Sequence, residues 1–239
     1  MQYTDNSCLF AVMSTAEFRE RKEEFAYKKE MLHSLGSIRY CKAELFKECI
    51  LGTIRLPQKN EQKKAQLSFG FYLTGRKVFF VEDEGKMKAW IEKQTEMFQE
   101  VDTPKQLLLR IMEHMIEEDT LYFSHMESEL DKLEEKISGG TGSNNNFFTS
   151  LIKHRQKLSE FNIYYEQLID IAELFSTCDF YQSEQDTQGW DRFMHRVEQL
   201  QNHVHLLREN VLQIRELYQS MQDAHQNKIM AVITIVTTI

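Results

Sequence analysis

The feature that most constrains the fold is a stretch of fifty residues at the C-terminal end, 190–239, that contains neither glycine nor proline. Its apolar side chains recur at alternating spacings of three and four: Trp190, Phe193, Val197, Leu200, Val204, Leu207, Val211, Ile214, Tyr218 and Met221. This heptad spacing is typical of coiled-coil packing. At 1.5 Å per residue, the stretch predicts a single helix roughly 75 Å long.

The last turns of this helix change in character. Residues 229–239 are uncharged and mostly apolar, and they are fewer than the roughly 20 that a membrane span requires. We therefore expect a water-soluble stalk helix that runs into a membrane, cut off a short way into the first membrane helix.

A polar stripe accompanies this apolar run. Its members fall at positions i, i+3, i+7 and i+10 of one helix face: Asn227, Met230, Thr234 and Thr237. Around a symmetry axis such a stripe would form rings of amide, thioether and hydroxyl groups, and Ile233 would add an apolar constriction that gates by dewetting. On spacing alone, the favoured explanation is that the threonine hydroxyls bond to the preceding turn of a lipid-facing or packed helix.

The first hundred residues mix helix and strand signals. Residues 14–17 form a capping box that predicts a helix to about Leu35. Apolar and other side chains alternate over 67–73, which predicts a half-buried strand, and the turn residues 74–76 lead to a hairpin partner at 78–81. A helix from about Lys86 to Glu100 follows.

The remainder of the chain reads as helical. Thr103 and Pro104 are a helix cap and first-turn proline. We predict one helix from there to about Ile137, a stop at 138–144, and a second helix from about Phe147 to Phe175, which together form an antiparallel hairpin. The predicted class is α+β, with an α/β sandwich domain (1–102), the helical hairpin (103–180) and the stalk with the start of the membrane helix (186–239).

Composition excludes several functions. A net charge of −8 disfavours nucleic-acid binding, which requires clustered basic residues against phosphate. The four cysteines form no CxxC pair, as expected for reduced thiols in the cytosol. No nucleophile triad, phosphate loop or metalloprotease motif is present, so we expect no enzyme. The acidic run Glu113–Glu135 reads as a solvated helix face in preference to a device that concentrates cations.

Three segments resemble the CorA family of divalent-cation transporters. Its stalk-to-membrane junction is similar to Arg208-Glu209, Tyr218, Asn227-Lys228-Ile229-Met230 and Ile233-Thr234-Ile235. Asp119–Ile137 is similar to the first long hairpin helix of the family, and Lys42-Ala43-Glu44-Leu45-Phe46 to a strand of its sheet. The family's Gly-Met-Asn selectivity motif would lie beyond Ile239.

The resemblance implies a homopentamer whose cytoplasmic funnel continues into a pore in the cell (inner) membrane, through the C-terminal helix. Asn227, Met230, Ile233, Thr234 and Thr237 would then line the pore. The resemblance also implies a regulatory cation site between subunits, to which Glu44 or Glu48 on the sheet and Asp191 on the stalk would contribute. In our alignment Arg192 occupies the stalk carboxylate position, and Asp191 lies one residue away.

The resemblance leaves the ion open. Mg²⁺ is favoured because it prefers oxygen ligands and this sequence has no Cys/His cluster, with Co²⁺ and Zn²⁺ as other candidates. A zinc-transporting branch of the superfamily is therefore an alternative. A membrane-tethered coiled-coil scaffold is another alternative, and an enzyme domain anchored by its C-terminus is disfavoured by the missing motifs.

Overall fold

The computed structural model describes residues 9–21, 25–59, 67–94, 101–139, 145–178 and 184–237. The elements follow in the order β1 (Phe10–Met13), α1 (Thr15–Glu20), α2 (Lys28–Leu35), β2 (Lys42–Leu45), β3 (Ile50–Arg55), β4 (Ser68–Leu73), β5 (Val78–Val81), α3 (Lys86–Lys93), α4 (Pro104–Met115), α5 (Asp119–Ser138), α6 (Asn145–Thr177) and α7 (Glu184–Thr237). A mixed sheet at the N-terminus followed by long helices confirms the α+β prediction.

The five strands form one sheet in the order β1-β5-β4-β3-β2. The predicted hairpin is β4–β5, which is antiparallel with Leu73 opposite Val78. β1 pairs with β5 in parallel, so the chain crosses over through its helices to place β1 at one edge. β2 forms the other edge and is antiparallel to β3. Edge strand β2 carries Glu44, one of the predicted site residues.

Both faces of the sheet are covered. On one face Phe18 of α1, Phe25 of the α1–α2 connection and Met31 of α2 join a core that includes Tyr72 and Phe79. On the other face Phe71 contacts Phe175 of α6, and Phe175 stacks on Trp190 of α7 with ring centroids 4.3 Å apart and planes inclined by 11°. The α6–α7 pair is thereby anchored to the sheet by aromatic rings.

The N-terminal helix differs from the prediction of one helix to about Leu35. The capping box at Ser14 and Glu17 is present, but α1 ends at Glu20 and α2 begins only at Lys28. Tyr27 has φ of +55°, a left-handed conformation that cannot continue a right-handed helix. The predicted end of α3 near Glu100 lies outside the described residues.

The prediction of one helix from Thr103 to Ile137 is wrong. The cap at Thr103 is correct, since its side chain accepts a hydrogen bond from the Gln106 amide, but α4 ends at Met115 and α5 begins at Asp119. Ile116 is fully buried at the break, and the amides of Ile116 and Asp119 each bond to a carbonyl three residues earlier. The chain therefore turns tightly here to bury Ile116 and Asp119.

The described residues fall into two compact units. The sheet unit contains the chain up to Asp119 together with Ile163–Gln201. The hairpin unit contains Thr120–Asn162 together with the chain from Asn202 onward. The division into domains at 102/103 and 180/186 stays a prediction.

The stalk prediction is met closely by α7, which is helical from Glu184 to Thr237. Of its predicted heptad stripe, all the positions from Trp190 to Ile214 are at most 5% exposed. In the hairpin unit Tyr218 still contacts Phe147 and Phe148 through its ring, whereas Met221 is 36% exposed. The buried stripe therefore ends near Tyr218.

Candidate regulatory site and C-terminal stripe

Asp191 lies in the N-terminal part of α7, within the sheet unit, and its side chain is half-buried. The hydroxyl of Ser176, the residue before the last one of α6, donates a hydrogen bond to Asp191 Oδ1 with an oxygen–oxygen distance of 2.6 Å. A hydroxyl donating to a carboxylate forms a short, charge-assisted bond. The Asp191 carboxylate is therefore held in one orientation by a neutral donor.

The two predicted carboxylates on the sheet are both exposed. Glu44 points from edge strand β2 and pairs with Lys42, whose Nζ lies 2.5 Å from Glu44 Oε1. Glu48 lies in the connection between β2 and β3. A cation would have to compete with the Lys42 ammonium for the Glu44 carboxylate.

Within the part of the chain that the structure describes, no group of three or more His, Cys, Asp or Glu side chains is arranged to hold a metal ion. The predicted site lies between subunits, so one chain supplies only half of its ligands. Glu44, Glu48 and Asp191 as a regulatory site therefore stay a prediction.

A cleft of about 360 Å³ adjoins the predicted stalk position in the sheet unit. It is lined by Asp102, which precedes α4, by residues of α4 such as Glu113, and by residues of α7 such as the buried Asp186. Arg192 and Arg110 also line it, and Arg110 bonds to Glu113 at 3.2 Å. The guanidinium groups of Arg110 and Arg192 oppose the binding of a cation in this cleft, and Asp191 is not among the residues that line it.

Sequence reasoning missed a buried charge at the start of α5. Asp119 is 1% exposed, accepts a hydrogen bond from the Tyr165 hydroxyl at 2.7 Å and pairs with Lys59 Nζ at 2.5 Å. Burial raises the pKa of the adjacent Tyr164 well above its usual value, and the Cys41 and Asp119 charges raise it further. Asp119 therefore joins the β3–β4 connection to α6.

The cysteines in the described residues, Cys41, Cys49 and Cys178, are buried free thiols. Burial raises the pKa of Cys41 to about 12, despite the opposing effect of its hydrogen bond with the Arg55 backbone. Burial also raises the pKa of Cys49. Because metals bind the thiolate form, these two side chains are poor metal ligands at neutral pH.

The five predicted pore-lining residues, Asn227, Met230, Ile233, Thr234 and Thr237, all lie on α7, and all are exposed in the single chain. The Thr234 hydroxyl donates to the Met230 carbonyl at 2.8 Å, and the Thr237 hydroxyl donates to the Ile233 carbonyl at 2.9 Å. This is the bonding to the preceding turn that spacing alone favoured. Because each hydroxyl proton is engaged, the oxygens present only acceptor lone pairs outward. Their role in a pore stays a prediction.

Apolar side chains surround this stripe. Ile229, Met230, Val232, Ile233 and Ile235 are between 45% and 63% exposed. Among the described residues, no helix combines the length and the apolar character that crossing a bilayer requires.

Several solved structures share this fold. The complete CorA magnesium transporter of Methanocaldococcus jannaschii is 15% identical with a TM-score of 0.79, and the match covers 100% of this chain and 77% of that one. The full-length CmaX protein is 16% identical with a TM-score of 0.79, covering 95% and 72%. The cytoplasmic domain of ZntB from Vibrio parahaemolyticus RIMD 2210633 is 10% identical with a TM-score of 0.69, covering 90% and 88%.

At these identities the likeness concerns the fold. No curated protein sequence matches the chain significantly. The family model described as CorA-like Mg2+ transporter protein, however, matches residues 29–239, which includes most of the sheet and all of the long helices. The chain belongs to the CorA-like Mg²⁺ transporter family.

Proposed function

We propose that this chain forms the cytoplasmic funnel and regulatory part of a CorA-type divalent-cation transporter in the cell (inner) membrane, and that Mg²⁺ is the ion moved and sensed. The observation that carries the proposal is the course of α7. Its stripe is buried up to Ile214, and its exposed end combines apolar side chains with oxygen acceptors on one helix. Membership of the family supports the same assignment.

The proposed pore begins at the exposed end of α7. In a homopentamer, five copies of Asn227, Thr234 and Thr237 would form rings of oxygen acceptors around the axis. Such rings suit Mg²⁺, which keeps several of its waters and is bound through them by oxygen groups. Five copies of Ile233 would form the apolar ring that empties of water when the pore closes.

The proposed sensor lies between neighbouring subunits. Mg²⁺ would bridge Glu44 or Glu48 on the sheet of one subunit and Asp191 on the stalk of the next, and hold the pore closed. When intracellular Mg²⁺ falls, the bridge is lost and carboxylates across the interface repel each other. The stalks are then released and the pore opens.

Zinc is the second candidate ion, because the fold is also that of the ZntB cytoplasmic domain. The candidate ligands argue for Mg²⁺. All three are carboxylates, and the described cysteines are buried. Soft thiolate ligands, which would favour zinc, are thus missing from the described surface.

The sensor is tested by thermal unfolding of the purified chain in millimolar MgCl₂ and in EDTA, at matched ionic strength. A ligand that binds only the folded state stabilises it by about 2.7 kcal/mol at a hundredfold excess over Kd. We expect a higher Tm in Mg²⁺ and a shift of the native mass toward five subunits, both lost in Asp191→Asn. The same titration with ZnCl₂ decides between the ions. An unchanged Tm and mass in both metals contradicts the sensor.

The pore is tested by the gene itself. The transporter predicts that the codons after Ile239 extend the apolar run to membrane length and encode Gly-Met-Asn, a short loop and a second span. A stop codon or a soluble domain at that point contradicts the pore and favours a coiled-coil scaffold.

A further inference from the structure

We propose that Ser176 is a positioning residue for the regulatory cation: its hydroxyl fixes the orientation of the Asp191 carboxylate, whose second oxygen, Oδ2, would then be the one offered to the cation. This inference rests on the proposed sensor and adds to it a residue that does not itself touch the ion.

The hydrogen bond between Ser176 and Asp191 joins two helices that pack together within the sheet unit. Ser176 lies in the last turn of α6 and Asp191 in the second turn of α7, and both belong to the sheet unit. Two neighbours on α7 fix the geometry around Asp191, because Trp190 and Phe193 are buried and Trp190 stacks on Phe175, the residue before Ser176. Ser176 and Asp191 thus each follow one member of a stacked pair of rings, and this stacking limits how far the two residues can move apart.

The chemistry of the donor decides the effect. Ser176 donates from a neutral hydroxyl at 2.6 Å, so Asp191 keeps its full negative charge while its rotamer is fixed. Glu44, by contrast, is paired with the Lys42 ammonium, which offsets its charge. The Asp191 carboxylate is therefore oriented by its contact with Ser176, and that contact does not offset its negative charge. Groups that orient a metal ligand in this way typically change metal affinity by about 10–100-fold.

The competing explanation is that the Ser176–Asp191 hydrogen bond only holds α6 and α7 together. A matched control variant separates this structural role from the positioning role. Thr177, the next residue, donates its hydroxyl to the Glu173 carbonyl of its own helix at 2.8 Å. Thr177→Val removes a hydroxyl at the same helix end without touching Asp191. Ser176→Thr keeps a hydroxyl at the critical position.

The experiment measures the Mg²⁺ concentration for half-maximal rise in Tm of the full chain, with unfolding in EDTA as the measure of stability without metal. We expect Ser176→Ala to raise this concentration about tenfold or more. Ser176→Thr and Thr177→Val should match the unaltered chain, and Asp191→Asn should show no response. A structural bond would change stability in EDTA and leave the Mg²⁺ midpoint unaltered.

Each failure has its own signature. If the unaltered chain responds to Mg²⁺, Asp191→Asn does not, and Ser176→Ala keeps the unaltered midpoint, the positioning role is overturned and the sensor stands. If Mg²⁺ does not raise the Tm of the unaltered chain, the sensor at Asp191 is overturned, and the role of Ser176 with it. The same conclusion follows if Mg²⁺ raises the Tm of Asp191→Asn as much as that of the unaltered chain.

Discussion

Two stretches of the same helix behave differently. In the covered stretch of α7, Trp190–Ile214, every heptad position is at most 5% exposed. In the exposed stretch, Ile229–Thr237, five apolar side chains are between 45% and 63% exposed. The backbone is helical throughout both. The two stretches therefore differ in what covers their side chains, and not in secondary structure.

The difference identifies the part of the helix that requires a second surface. The sheet, α6 and the hairpin cover the first stretch, each within its own unit. Full burial of an Ile or Met side chain contributes about 1.5–3 kcal/mol. The exposed stretch thus retains a substantial gain for association with other copies of the helix or with lipid.

Removing a ring from the covered stretch should have the largest effect. Trp190 is fully buried and stacked on Phe175, so Trp190→Ala leaves a cavity and should lower the free energy of unfolding by about 3–5 kcal/mol. Ile233→Ala is the matched change in the exposed stretch and should alter it by about 0.5 kcal/mol or less. Urea unfolding followed by circular dichroism measures the free energy of unfolding of both variants. Equal losses in the two variants would contradict the difference in burial between the two stretches.

The pH dependence of stability should also report on burial, through the raised pKa of the buried Cys41 thiol. Burial raises the pKa of Cys41 to about 12 from an ordinary value near 9, so between these values the unfolded chain releases a proton that the folded chain keeps. The stability from Cys41 is therefore full below pH 9 and falls as pH rises to 12, by up to about 1.4 kcal/mol per pH unit.

Cys41→Ala provides the measurement for this effect. Cys49, Tyr72 and Tyr164 also have raised pKa values and contribute in the same direction, so the unaltered chain serves as the reference. The difference in unfolding free energy between the two proteins should decrease as pH rises above 9. Parallel pH profiles would mean that Cys41 is accessible to solvent.

The smallest effect is expected from the polar groups of the exposed stretch. The Thr234 side chain is exposed and its hydroxyl donates to the Met230 carbonyl of the same helix, so Thr234→Val should alter stability by about 0.5 kcal/mol or less. Thermal unfolding of the variant beside the unaltered chain measures it. A larger loss would show that Thr234 has a structural contact in solution and would weaken its assignment to a pore.

Local sequence signals predicted most of the elements. The capping box at Ser14, the cap at Thr103, the β4–β5 turn and the three- and four-residue spacing of α7 depend on neighbours in the chain, and all are present. The break between α4 and α5 was missed because it places Asp119 against Tyr165, a contact between residues 46 positions apart that local spacing does not reveal. The parallel pairing of β1 with β5 was missed for the same reason.

The candidate site was predicted less completely. Sequence and resemblance together pointed to Asp191, but the hydroxyl of Ser176 follows from the packing of α6 on α7, which spacing does not reveal. The pairing of Lys42 with Glu44, by contrast, could have been predicted, because the two residues are two apart on β2 and side chains at that spacing share one face of a strand. The contact of Ser176 with Asp191 depends on which helices become neighbours in the folded chain.

The most direct test of the account is cysteine cross-linking along the exposed stretch, with the chain in detergent micelles. A disulfide forms only when two Cα atoms are within about 7 Å. If the stripe faces a symmetry axis, Met230→Cys should give covalently linked subunits on mild oxidation, and Val232→Cys, exposed on another face of the helix, should not. Equal cross-linking at both positions, or none at Met230→Cys, would contradict a pore-lining stripe.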